Sequence, residues 1–268
     1  MVSKLRHVLG LSGGKDSSAL AIHMRDRVPE MEYFFCDTQK ELPETYEYLD
    51  RLQAYLGKPI TRLNAERGFD HWLDMYGGYL PSSQMRWCTR MLKIKPFEDF
   101  VGDDPVLSYI GIRADEDRDG YISHKPNITP VYPFKEDGIR EAEVFEILNN
   151  AGVGLPKYYE WRTRSGCSFC FFQRKSEWVG LLERHPELFE EAKQYEKYDL
   201  ERGVRYTWSN GESLEELSQP ERVAEIKRKQ EQTMKKKAKF QPGQKLYQIF
   251  KETLDDEDDT EACTICHV

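Results

Sequence analysis

An α/β protein, with a parallel sheet covered by helices on both faces and a small, mostly helical C-terminal portion, is the fold class that the sequence predicts. Three observations carry it. Apolar runs of strand length alternate with amphipathic helical stretches from residue 5 to about 115. The first of these strands runs directly into a Gly-Gly turn and then a helix. Beyond residue 125 the alternation gives way to proline-broken, aromatic and helical texture. Strand–helix alternation demands crossover connections, which lay helices on both faces and leave ligands at the carboxyl ends of the strands.

In chain order, strand 6–11 leads to a helix ending near 26, strand 31–36 to helix 43–56, and strand 59–63 to helix 69–75. Helix 91–101 then leads to the apolar strand 106–112. Pro43 suits the first turn of its helix, where its missing N–H is no loss. The stretch 128–134 holds two prolines and reads as an edge strand or extended loop. Helix 141–150, an aromatic loop at 155–161, a Cys-x-x-Cys on a Gly turn at 166–170, and helices 176–183, 186–198 and 221–240 follow. The expected division is a nucleotide-binding α/β domain over 1–135, a helical portion over 136–240 and an acidic tail over 241–268.

The chain has 268 residues, 39 % hydrophobic and 32 % charged, enough for a full core. It holds no apolar run of transmembrane length and no signal-peptide core, so a cytoplasmic protein with no membrane partner is expected. The net charge of −8 does not announce nucleic-acid binding, yet residues 222–239 hold eight Lys/Arg against two Glu, and 255–259 is an acidic run. Most such basic helices are solvated faces; the alternative is a contact with a nucleic-acid backbone, with Trp208 and Tyr206 as stacking groups. His71 and His185 carry no spacing signal and read as structural.

Ser12-Gly13-Gly14-Lys15-Asp16-Ser17 is a phosphate cradle. The two glycines lack the Cβ atoms that would hold a phosphate off the backbone N–H groups, and the helix N-terminus adds partial positive charge. Lys15 and the hydroxyls of Ser12, Ser17 and Ser18 can close round the anion. The spacing fits neither the Walker A loop nor the dinucleotide fingerprint. Polar residues gather at the other strand ends too: Asp37 and Thr38 after the second, and Gly111-Ile112-Arg113-Ala114-Asp115-Glu116 after the fourth.

The Ser-Gly-Gly-x-Asp-Ser loop resembles the PP-loop of the ATP pyrophosphatases, which cleave ATP between its α and β phosphates. Three further segments resemble the phosphoadenylylsulfate (PAPS) reductase-like branch of that superfamily. They are Asp37-Thr38 with Glu41-Leu42-Pro43-Glu44-Thr45, where Gln39 replaces the branch's Gly; Arg86-Trp87-Cys88-Thr89 with Leu92-Lys93 and Pro96; and the Gly111–Glu116 hexapeptide. The resemblance implies ATP and Mg²⁺ at the loop, with Lys15, Asp16 and Arg113 catalytic. Ser12, Gly13, Gly14, Lys15, Asp16, Ser17, Asp37, Thr38, Arg86, Arg90 and Arg113 would bind the nucleotide. Lys93 is a further anion candidate; a solvated basic face is the plainer reading of the segment from Arg86 to Lys95.

Six cysteines in a cytosolic setting argue for metal or redox chemistry. Cys88, Cys167 and Cys170 are the candidate thiolate ligands, with Cys36, Cys263 or Cys266 as a fourth. The resemblance to PP-loop sulfurtransferases favours a 4Fe-4S cluster; zinc is the alternative, including a site from Cys167, Cys170, Cys263 and Cys266. Cys36 ends an apolar strand, so it is either an inert buried thiol or a sulfur carrier.

The expected function is ATP pyrophosphatase activity that activates a substrate for sulfur transfer. It is closest in character to the enzymes of DNA phosphorothioation, with DNA or another nucleic acid as acceptor and a cysteine desulfurase as sulfur donor. The alternatives are a thiol-dependent sulfonucleotide reductase using Cys263 or Cys266, and an ATP-binding subunit of a defence complex with little activity alone.

Overall fold

The structure is a computed structural model, and it describes residues 4–118, 123–199 and 203–238. The acidic run, Cys263 and Cys266 lie outside the described residues. By internal contact the chain falls into two units, one made of residues up to Tyr76 with Met85–Cys167, the other of Gly77–Gln84 with the chain from Ser168.

The first unit is a five-stranded parallel sheet in the order β3-β2-β1-β4-β5. Its elements are β1 (Arg6–Gly10), α1 (Lys15–Met24), β2 (Glu32–Asp37), α2 (Pro43–Leu56), β3 (Ile60–Asn64) and α3 (Phe69–Met75). After them come α4 (Trp87–Thr89), a π-helical turn (Arg90–Ile94), α5 (Lys95–Val101), β4 (Val106–Tyr109), β5 (Ile128–Val131), α6 (Pro133–Glu136), α7 (Glu141–Asn150) and a 3-10 turn (Lys157–Glu160). Strand order reverses beside β1, which pairs with β2 on one side and with β4 on the other, at Arg6↔Val106 to Leu9↔Tyr109. That reversal opens a crevice at the carboxyl ends of β1 and β4.

Alternation along the strands decides which residues meet which helices. Leu9, Tyr33 and Phe35 turn to one face and pack with Leu20, Tyr48, Leu52, Val144 and Leu148 of α1, α2 and α7. Val8, Phe34 and Cys36 turn to the other and pack with Phe97 and Val101 of α5. Because α7 closes the core over α1, the first unit continues well past residue 135. The proline-bearing stretch forms β5 at the sheet edge, in register with β4 from Val106↔Ile128 to Tyr109↔Val131.

The second unit contains α8 (Lys175–Arg184), α9 (Pro186–Tyr195), the antiparallel hairpin β6 (Lys197–Asp199) and β7 (Val204–Tyr206), α10 (Leu214–Leu217) and α11 (Pro220–Ala238). Its core is Trp178, Phe189, Leu214, Leu217, Phe169 and Trp208. Helix α9 ends three residues earlier than the sequence predicts, because Lys197 to Asp199 pair with β7. No described helix is long and apolar enough to cross a membrane.

Candidate functional site

The loop between β1 and α1 has the backbone that its glycines allow. Gly13 sits at φ +74°, and a Cβ there would lie 2.6 Å from Thr45 Cγ2. A Cβ on Gly14 would lie 2.8 Å from Ser165 Oγ. The hydroxyls knit the turn: Ser18 donates to the Gly14 carbonyl at 2.7 Å, and the Ser12 and Ser17 oxygens lie 3.2 Å apart. Gly111 lets the end of β4 approach closely, since a Cβ there would lie 3.1 Å from the Asp16 carbonyl oxygen.

Three charged groups meet above this turn. Lys15 Nζ contacts both Asp16 oxygens, at 3.1 and 2.9 Å, and Glu141 at the start of α7 at 3.3 Å. Arg113 Nη1 lies 3.0 Å from Asp16 Oδ1 and 2.8 Å from Glu116, while its Nε donates to Asp115 at 3.0 Å. Burial alone would raise the Asp16 pKa; the Lys15 charge and the hydrogen bonds from Lys15 and Arg113 outweigh it, leaving the pKa below the ordinary carboxylate value. Burial likewise opposes the Arg113 charge, but its hydrogen bonds to Asp115 and Asp16 prevail and raise its pKa. Both cations are thus held beside the loop by carboxylates, Lys15 by Asp16 and Glu141 and Arg113 by Asp16, Asp115 and Glu116.

The end of β2 supplies a second cluster. Asp37 Oδ1 accepts from the Tyr46 hydroxyl at 2.7 Å and from the Gln39 N–H at 2.8 Å. Gln39 has φ +61°, the sole non-glycine with positive φ among the described residues, at the position where the resemblance puts Gly. The left-handed turn is therefore kept without the residue that suits it. Thr38 Oγ1 donates to the buried Glu41 at 3.0 Å and lies 3.2 Å from Cys167 Sγ. Buried Arg162 fixes that segment by donating to the carbonyls of Gly166 at 3.1 Å and Cys167 at 2.9 Å.

Ser12 to Ser17 and Arg113 thus lie together through the Arg113–Asp16 contact, and Asp37 and Thr38 lie at the end of the neighbouring strand. Sequence reasoning gave no role to Tyr158, Tyr159, Arg162 or Ser165, although Tyr158, Tyr159 and Ser165 hold the loop directly and Arg162 braces the segment that follows Ser165. Tyr158 donates to the Gly13 carbonyl at 2.7 Å, Lys15 N–H donates to the Tyr159 hydroxyl at 3.1 Å, and Ser165 donates to Ser12 Oγ at 3.1 Å. The aromatic texture of 155–161 was the visible signal; its target, some 145 residues earlier, was not.

Arg86 caps α4 and is half-buried, Cys88 lies within α4, and Arg90 opens the π-helical turn and is exposed. Such turns are frequent at functional sites. Cys36 faces the α5 side of the core, where its thiol donates to the Lys93 carbonyl at 3.4 Å and burial pushes its pKa up to about 12. That environment is the inert one of the two weighed for it. Cys88 and Cys167 belong to the first unit and Cys170 to the second. Among the described residues, no three His, Cys, Asp or Glu side chains are grouped to hold a metal ion.

One expectation is corrected. Trp208 is not a stacking surface: it is 5 % exposed, and its Nε1 donates to the Ala192 carbonyl at 2.9 Å. The indole fills the second unit's core beside Phe169 and Trp178, where its apolar area is removed from water. On α11, Arg222, Lys227, Lys229 and Lys235 are each ion-paired with a glutamate, so much of its charge is already neutralised locally.

Comparison with known proteins agrees with this geometry. Residues 6–127 match the phosphoadenosine phosphosulfate reductase domain. An uncharacterized protein of Methanocaldococcus jannaschii is 27 % identical over 73 % of this chain and 43 % of its own length. The adenosine 5'-phosphosulfate reductase of Salinibacter ruber is 30 % identical over 39 % of this chain and 42 % of its own. The tRNA-specific 2-thiouridylase of Streptococcus uberis is 25 % identical over 65 % of this chain and 54 % of its own. The chain spans about half the length of these relatives.

Proposed function

We infer the function from a premise: through residues 6–127 the chain belongs to the phosphoadenylylsulfate reductase-like branch of the PP-loop superfamily. It is a nucleotide-activating enzyme that binds ATP at the loop after β1, cleaves it to AMP and pyrophosphate, and thereby activates a substrate oxygen for replacement by sulfur. The observation that carries this reading is the intact cradle: two glycines whose Cβ positions are already filled by neighbours, with Lys15 and Arg113 converging on the same turn. A reductase of adenylylated sulfate needs to bind its nucleotide but not to split a triphosphate, and the intact Ser12–Ser17 loop beside Lys15 and Arg113 supports the reading in which a triphosphate is split.

The chain's own residues divide the work as follows. The loop N–H groups and the α1 N-terminus receive the β and γ phosphates, and Lys15 neutralises the negative charge that grows on the leaving pyrophosphate. Arg113, planar and held by three carboxylates, spans the α-phosphate oxygens. The acceptor oxygen attacks the α-phosphorus as the bond to the bridging oxygen breaks, and its electron pair leaves with pyrophosphate. The outer sulfur of a donor persulfide then attacks the activated atom, AMP leaves with the former acceptor oxygen, and a second thiol attacks the resulting S–S bond to release the thiolated acceptor and a disulfide. The carboxylate of Asp16 suits Mg²⁺, which would supply charge neutralisation on the phosphates.

The acceptor proposed for the first test is a DNA backbone phosphate, and the donor a persulfide of the cysteine desulfurase type. Iron content after anaerobic purification tests the expectation of a 4Fe-4S cluster, and no step above is routed through one. The branch name and the Salinibacter ruber relative favour one second reading, reduction of an adenylylated sulfate. Incubation with α-labelled ATP separates the two. AMP and pyrophosphate, lost about a hundredfold in Lys15→Ala, support nucleotide activation. Sulfite release from adenylylated sulfate with no turnover of ATP supports reduction instead.

A further inference from the structure

The two tyrosines on the 3-10 turn hold the phosphate loop by opposite ends of the hydrogen bond. Tyr158 donates to the Gly13 carbonyl, a group no phosphate competes for. Tyr159 accepts from Lys15 N–H, the first backbone donor of α1 and one that a bound phosphate needs. The Tyr158 ring is fully buried and stacks on that of Tyr159 at 5.0 Å and 26°, whereas Tyr159 is only partly buried. One ring is an anchor; its neighbour is the less buried of the pair.

We propose that the Tyr159 hydroxyl is a built-in competitor for the phosphate site, released from Lys15 N–H when a phosphate oxygen takes its place. This inference rests on the phosphate-binding reading above. A phosphate oxygen makes a charge-assisted bond, about twice as strong as the neutral one it replaces, so the exchange runs towards bound phosphate. The displaced turn is continuous with Arg162, which clamps the carbonyls of Gly166 and Cys167, and with Ser165, which bonds Ser12. Phosphate occupancy is therefore felt along 157–167, the segment that sets Cys167 against Thr38 and Glu41. Tyr159 is a positioning residue here: it acts through the Lys15 amide and not on the reacting atoms.

The sign of the effect separates this from ordinary loop support. Tyr159→Phe keeps the stacked ring and removes only the competing oxygen, so pyrophosphate binding measured by calorimetry is expected to tighten about fivefold, or about 1 kcal/mol. Tyr158→Phe removes the anchor and is expected to lower the melting temperature without tightening binding. In the wild-type chain, pyrophosphate is expected to slow amide exchange at 13–15 and to speed it at 157–161. Unchanged or weaker binding by Tyr159→Phe, or slower exchange in both segments, overturns the proposal while leaving the phosphate site intact. If neither the wild type nor any variant binds pyrophosphate, the phosphate-site reading itself falls and takes this inference with it.

Discussion

The loop conformation makes a quantitative demand on one pair of residues, Gly13 and Thr45. In Gly13→Ala the new methyl would sit 2.6 Å from Thr45 Cγ2 on a backbone at φ +74°. The left-handed conformation costs an L-residue about 1–2 kcal/mol. The overlap adds about 1–3 kcal/mol, since Thr45 is fully buried and cannot swing aside. Alanine's smaller conformational freedom in the unfolded chain offsets about 0.4–1 kcal/mol of that loss. The variant should therefore lose about 2–4 kcal/mol in urea denaturation.

Thr45→Ser deletes the offending methyl, keeps the hydroxyl, and alone should cost about 1 kcal/mol of lost burial. Combined with Gly13→Ala it removes the overlap, so the double variant should be more stable than Gly13→Ala by about 1 kcal/mol and show a coupling energy near 2 kcal/mol. Strict additivity of the two substitutions would mean that the methyls never meet, and the loop described here would then be wrong.

Three further outcomes follow from the same structure. Gln39→Gly relieves a left-handed backbone at the price of unfolded-state freedom, so a net gain of about 0.5–1 kcal/mol is expected by denaturation. Because the folded Asp16 pKa is depressed, its contribution is complete above the unfolded value near 3.8 and fades as pH falls through the lower folded one. Asp16→Asn should flatten the acid limb of the stability profile and cost about 2–4 kcal/mol at neutral pH, by leaving Lys15 and Arg113 partly unpaired. Trp208→Ala should destabilise the protein by about 3–5 kcal/mol, whereas a solvent-facing stacking residue would give a loss near zero.

Much of the site was readable because its determinants are local. A strand, two glycines, a lysine and a helix start lie within a dozen residues, and the polar strand ends follow from the alternation. The strand order that reverses beside β1 was not in the sequence; only the polar residues that follow the fourth strand, Gly111 to Glu116, were. What escaped was the long-range part. Tyr158, Tyr159 and Ser165 reach the loop by tertiary folding, and nothing in their own neighbourhood distinguishes them from core aromatics or a turn serine. Trp208 failed for the reverse reason: a tryptophan beside a basic helix looks like a surface group until its indole N–H finds the Ala192 carbonyl. The hairpin β6–β7 was hidden by a helical pattern that continues past Tyr195 in sequence but not in space.

Pro130 gives the sheet a chemical stop. Val131 turns its carbonyl inward to Ile110, so the preceding residue in the extended strand turns outward, and there a proline has no hydrogen to offer. A stranger's strand laid along β5 would find its ladder interrupted at the middle rung. The same ring that weakens this strand therefore guards against self-association, leaving β3 as the border where pairing between molecules meets no such obstacle.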